Sequence, residues 1–237
     1  MLGDGRNNSE VILRPSLNLA AIIRPFILTQ IPTSGVMDLT YESYYTPEMT
    51  AGNQRISTLG YALLGLIKMH PSTGYELRKV FQETPMARYS SSPGAIYPAL
   101  RGLESQKLIR YRQSVGKTGH RIQTWSCTVR GRNKLFAWLR CDVTVEEVFR
   151  ELDIALLRFS YFDLLDDLEW SIAFLEQFRA AARECSQHVE TIRKSIAPNQ
   201  PVHGQLALSN GAQIFAAHAQ WATATLVLLR RKREKKP

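Results

Sequence analysis

From Ser57 onwards, apolar residues recur at helical spacing and are interrupted by turn signals. Leu59, Leu63, Leu66 and Ile67 form an i, i+4, i+7, i+8 stripe that predicts a first helix, capped by Ser57 or Thr58 and ended by His70-Pro71. Thr73 with Glu76 three residues on makes a capping box for a second helix through Leu77, Val80 and Phe81, closed by Thr84-Pro85. Ser92 is a good N-cap and Pro93 suits the first position of a third helix, whose Ile96, Leu100 and Leu103 share an apolar face. Tyr97, Arg101 and Ser105 then fall together on another face. Pro98 removes a donor inside this helix and should bend or tighten it.

Beyond Lys107 the pattern changes period. Two β-prone runs, 108–113 and 120–127, flank a loop with Gly116 and Gly119 and predict a hairpin with a basic tip. Thr128 caps a helix with Leu135, Trp138 and Leu139, and Thr144 with Glu147 makes a second capping box. Val145, Val148, Phe149, Leu152, Ala155, Leu156 and Phe159 then predict one amphipathic helix. From Tyr161 the spacing tightens to sevens: Tyr161, Leu168, Leu175, Ala182, Val189 and Ile196, with Leu164, Phe178, Cys185 and Ile192 between them. This reads as a coiled-coil-like helix of about 50 Å, stopped by Pro198 and Pro201, and a helix that long is more easily buried by a partner chain. Leu168, Leu175, Phe178, Val189 and Ile192 are therefore expected at a homodimer seam, joined by Phe215 and Trp221 from the last helix; packing within one subunit is the alternative.

That last helix should run from about Leu206 to Arg230. It carries no charge from Gly204 to Leu229, and Arg230-Arg231-Lys232-Arg233 follows. Gln205, Asn210, Gln213, His218 and Gln220 make it a poor bilayer span, so no membrane association is expected. His218 and Trp221 either line a small-molecule effector cavity or pack at an interface, and the second is favoured. Residues 1–50 carry four prolines, Pro15, Pro25, Pro32 and Pro47, and no sustained period, which predicts a disordered extension; Met37 offers an alternative start. Arg24-Pro25 breaks the apolar run 17–31, so no targeting signal is expected.

Composition adds direction to this picture. A chain of 237 residues with 44% hydrophobic content buries a proper core and should divide into two modules. Its net charge of +9 favours a polyanionic partner. The bases concentrate where the chemistry is expected: Lys107, Arg110, Arg112, Lys117, Arg121, Arg130, Arg132, Lys134 and Arg140 lie between Ser105 and Cys141 with no acid among them. Three unevenly spaced cysteines, Cys127, Cys141 and Cys185, argue against a disulfide framework and for a reducing, cytoplasmic compartment. Cys185 and His188 share a helix face, but no second ligand pair exists, so neither metal nor cofactor is expected. Paired carboxylates, an activated nucleophile and a phosphate-cradling glycine loop are all missing at workable spacing, which argues against an enzyme.

A helix followed by a basic hairpin is the second half of a winged helix-turn-helix, in which the helix enters the major groove of DNA and the wing reaches backbone or minor groove. The expected contacts to double-stranded DNA are Ser90, Ser91 and Ser92 at the positive helix end, Tyr97 and Arg101 on the helix, and Arg112, Lys117, Thr118 and Arg121 on the wing. Tyr75 is evenly divided between a phosphate contact and packing on the hairpin.

The ordered set Leu63-Leu64-Gly65-Leu66-Ile67, Gly74-Tyr75-Glu76-Leu77 and Ser92-Pro93-Gly94-Ala95-Ile96-Tyr97-Pro98-Ala99-Leu100, followed by Leu103-Glu104 and Leu108-Ile109, closely resembles the PadR family of transcriptional regulators. The resemblance covers about 57–139, and the helical tail is similar to the family's larger subgroup. Trp125 stands where that family usually has tyrosine, and Cys127 where it usually has leucine. What the resemblance implies is a mainly α fold: an N-terminal winged helix-turn-helix with a small β-hairpin wing over 51–141, then a long-helix C-terminal dimerisation domain over 142–237. It implies a repressor bound as a homodimer to a near-palindromic operator. The competing class is a winged-helix adaptor that binds protein without specific DNA recognition.

Overall fold

The computed structural model describes residues 56–89, 93–115, 121–196 and 201–235. Helix α1 (Thr58–Met69) starts where Ser57 Oγ accepts the Gly60 N–H at 3.1 Å. After strand β1 (Ser72–Thr73) comes helix α2 (Gly74–Glu83), whose capping box is complete: the Glu76 carboxylate accepts the Thr73 N–H at 2.7 Å, and the Thr73 hydroxyl accepts the Glu76 N–H at 3.1 Å. Helix α3 (Ile96–Ser105) differs from the expected start. A 3-10 turn at Pro93–Ala95 leads into it, and its cap, Ala95, makes no side-chain bond. Pro98 thereby falls in the first α-helical turn, where an N–H has no intrahelical partner to lose. Ser92 lies outside the described residues.

Strands β2 (Ile109–Val115) and β3 (Arg121–Cys127) form the hairpin, and β1 adds to β3 to give the antiparallel order β1-β3-β2. At the root of the hairpin Trp125 is buried edge-on to Tyr111, and Cys127 packs against the core. Both residues that depart from the family pattern thus find apolar surroundings. Helix α4 (Val129–Leu139) is capped by Thr128, whose hydroxyl accepts the Gly131 N–H at 3.0 Å. Gly131 is fixed by close approach: a Cβ there would stand 2.0 Å from the Leu108 carbonyl oxygen.

The expected amphipathic helix over 145–159 is two helices, α5 (Val145–Arg150) and α6 (Leu152–Ser160), separated at Glu151 (φ −132°, ψ 38°). Thr144 accepts the Glu147 N–H, but the Glu147 carboxylate turns to Arg158 Nη1, at 2.7 and 2.9 Å, instead of completing a box. Arg158 is buried; it also donates to the Cys141 carbonyl, and its guanidinium lies 5.3 Å from the Phe174 ring centre. Folding α6 back on α5 to make this pair requires the break. Burial raises the Glu147 carboxyl above its usual range, and the Arg158 charge opposes that rise.

The long helix α7 runs Leu168–Ile196, so it does not begin at Tyr161. A 3-10 turn (Phe162–Leu165) and a left-handed Asp166 (φ 51°) intervene. Tyr161 belongs to the N-terminal core: its ring fills the space over Gly65, where a Cβ would come within 2.4 Å, and its hydroxyl donates to the Ala62 carbonyl at 2.8 Å. Leu157 is buried in that core as well.

Helix α8 (Val202–Glu234) packs along α7 in the opposite direction. Arg230 and Arg233 at its end pair with Glu176 and Glu169 near the start of α7, and the Ser186 hydroxyl donates to the Ala212 carbonyl. Small residues of α8, Ala212, Ala219 and Ala222, are buried against the α7 stripe. The expected seam is therefore corrected: Leu175 and Phe178 are fully buried and Val189 nearly so, within this chain. Period alone names a buried face, and here α8, a helix of similar length without charge from Gly204 to Leu229, covers it. Leu168, Ile192, Phe215 and Trp221 are half-buried. Phe159, Phe162, Phe174, Phe178 and Trp221 form a connected aromatic cluster, with His218 edge-on to Phe178. Cys185 donates to the Val145 carbonyl at 3.6 Å, and burial pushes its thiol up to about 11, while the His188 ring meets Phe149. Among the described residues no helix is long and apolar enough to cross a membrane.

Candidate nucleic-acid interface

Helices α2 and α3 form the helix-turn-helix, and α1 backs α3: a Cβ on Gly60 would touch Leu103 at 3.7 Å. Ile96, Leu100 and Leu103 are buried as their spacing predicted, which directs Tyr97 and Arg101 to solvent. The Tyr97 ring lies across the start of α2; a Cβ on Gly74 would be 2.7 Å from Tyr97 Cε1 and 3.4 Å from its hydroxyl. A side chain at 74 would have to displace the phenol of the neighbouring helix. Tyr75, next in the chain, is 71% exposed, which counts against packing on the hairpin. Tyr97 and Arg101 share an outward face of α3, and Tyr75 is exposed in the first turn of α2.

The hairpin register sorts the wing cations. Arg112 pairs with Thr124 and shares a face with Arg110 and Ser126, whereas Arg121 pairs with Val115 and shares the opposite face with Gln113 and Tyr111. Both faces are exposed beyond the root, so a basic side chain stands on each side of the wing. Spacing along one strand could not show this, because it depends on pairing. Lys117 and Thr118 at the tip, and Ser90 and Ser91 before α3, lie outside the described residues with Ser92. At the wing root, burial raises the Cys127 thiol, while Lys68 and Arg132 pull it down. Such a thiol packs rather than reacts.

Sequence reasoning missed one set of residues beside this surface. Arg88 and Tyr89 end a 3-10 turn (Pro85–Tyr89) just ahead of α3 and contact Asp153 of α6. No local signal joins positions that far apart in the chain. Phe215 and Trp221 belong to the C-terminal region; Phe215 stacks on Phe149, and Trp221 meets Phe159 and Phe178 edge-on.

Residues 63–137 match the family model of the transcriptional regulator PadR-like family. The negative transcriptional regulator PadR of Bacillus subtilis (strain 168) is 25% identical over 144 residues, which span 61% of this chain and 78% of that protein. The transcriptional regulator YqjI of Escherichia coli (strain K12) is 38% identical over 58 residues, 24% of this chain and 28% of that one. A crystal structure of Bacillus subtilis PadR in complex with operator DNA matches over 74% of this chain and 99% of its own at 17% identity and a TM-score of 0.37. The same protein in complex with p-coumaric acid matches over 76% and 99% at 17% identity and a TM-score of 0.35.

Proposed function

We propose that this chain, which carries a PadR-like transcriptional-regulator domain over residues 63–137, is a repressor that binds a near-palindromic operator as a homodimer. The observation that carries the reading is the outward pairing of Tyr97 and Arg101 on a helix flanked by a basic hairpin. Residues 51–141 supply the DNA contacts, Ser90, Ser91, Ser92, Lys117 and Thr118 among them, and 142–237 supply the dimer. The name of the Bacillus subtilis relative, a negative regulator, supports repression. Its complex with a phenolic acid supports a small-molecule effector for this chain too. Three free cysteines, Cys127, Cys141 and Cys185, support a reducing, cytoplasmic compartment.

The dimer contact is assigned to the outer face of α8. Leu206 and Leu228 are 62% and 63% exposed on a helix that carries no charge from Gly204 to Leu229. Leu206→Glu with Leu228→Glu should yield folded monomers by light scattering, whereas a charge at Leu175 should unfold the helix pair. Operator binding is tested by titrating selected and unrelated duplexes at several salt concentrations. Tight, selective binding that weakens steeply with salt is expected. Equal, weak binding to both duplexes would return the assignment to a protein-binding adaptor.

A further inference from the structure

The turn Pro85–Tyr89 is tied to a helix that follows the winged core in the chain. The Tyr89 hydroxyl donates to the Asp153 main-chain carbonyl at 2.8 Å, and Arg88 Nε lies 3.3 Å from the Asp153 carboxylate. Burial raises the Tyr89 phenol far above its ordinary ionisation, so the hydroxyl stays a donor. Asp153 stands in the first turn of α6, and α6 is held from both sides. Leu157 and the following Tyr161 enter the N-terminal core, while Ala155 and Leu156 enter the C-terminal one. Arg158 locks α6 to α5 through Glu147 and to the 141–144 connector through the Cys141 carbonyl. A shift of α6 therefore reaches Asp153, and through it the turn Pro85–Tyr89.

We infer that Arg88, Tyr89 and Asp153 form a latch that positions the start of α3, with Tyr97 and Arg101, and that couples this position to the C-terminal helices through α6. The inference rests on the DNA-binding reading and adds positioning residues that touch no DNA. Arg88 is the informative member, because a half-exposed guanidinium near a DNA-binding helix could equally contact a phosphate. The two roles separate by salt: loss of a phosphate contact lowers the slope of log affinity against log salt by about one, whereas loss of positioning leaves it unchanged.

The test uses the full chain and a duplex selected from a random pool by the wild type. Tyr89→Phe, Arg88→Gln and Asp153→Asn are titrated against that duplex at several salt concentrations, with thermal melts in parallel. Each should lose roughly three- to tenfold in affinity, the scale of one polar contact, with the wild-type slope and a fall in melting temperature of only a few degrees that does not rank with the affinity loss. Arg88→Gln combined with Asp153→Asn should be no weaker than either alone, because both remove the same contact. A reduced slope for Arg88→Gln with a silent Asp153→Asn would overturn the latch and make Arg88 a phosphate contact. Affinity losses that follow melting temperature in all three variants would overturn it as well, leaving a structural tie. Wild-type selectivity with three silent variants refutes the latch alone; failure of the wild type to select any duplex refutes the DNA-binding reading beneath it.

Discussion

The winged core and the α7–α8 pair bury apolar surface by different means, and the difference decides where function is found. The winged core is made of short elements whose ends are set by caps at Ser57, Thr73 and Thr128, and it presents polar and cationic side chains outward. The helix pair has long stripes, an aromatic cluster and few local constraints. In the first region a side chain is displayed because its neighbours are buried; in the second it is buried because another helix lies on it. Substitutions should accordingly separate into those that change binding and those that change stability.

The largest effect is expected in the helix pair. Phe178→Ala removes a fully buried ring that meets Phe174, Trp221 and His218, and should cost about 3–5 kcal/mol in urea-induced unfolding. Arg101→Ala should do the reverse, costing about 1–3 kcal/mol in operator affinity with an unchanged unfolding midpoint. If Arg101→Ala unfolded the chain, or Phe178→Ala left its stability intact, the contrast between the regions would collapse. Thr128→Ala sharpens it within the winged core. The hydroxyl accepts the Gly131 N–H and donates towards the Leu108 carbonyl at 2.9 Å, so its loss should lower stability by about 1 kcal/mol, read by thermal melts.

The smallest effect is a pH dependence in the second region. Burial holds the His218 imidazole below its ordinary value of about 6.5, so the unfolded chain binds this proton more readily. Stability that is fully present above about 6.5 should fall as the pH drops through and below that value. His218→Gln should flatten this part of the melting profile. An unchanged slope in that variant would show that other groups cause it.

These regions also differ in how far the sequence could be read. The capping box at Thr73–Glu76, the cap at Thr128 and the buried set Ile96, Leu100 and Leu103 follow from spacing because both partners are a few residues apart. So did the outward placement of Tyr97 and Arg101. The break at Glu151 did not follow, because it depends on Arg158 capturing Glu147 from the next helix. Tyr161 continued a heptad by position, yet a vacancy over Gly65 claimed it for the other core. Heptads named Leu175, Phe178 and Val189 as a buried face and assigned it to a homodimer seam, whereas α8 of the same chain buries it. The opposed faces of Arg112 and Arg121 required the strand register. Each of these four depends on a partner in another element, where periodicity carries no information.

The hydrogen bond from Tyr161 to the Ala62 carbonyl spans 99 residues, and this has a consequence for the chain as it is made. A ribosome that has released only the helix-turn-helix, the hairpin and α4 has not yet delivered Leu157 or Tyr161, so the surface around Gly65 stays open to water. The winged core closes only after the chain has passed the α5–α6 break and folded back across α1. Synthesis thus joins the two regions before the N-terminal core is complete, and a nascent fragment ending at the connector 141–144 lacks a late-arriving ring of that core.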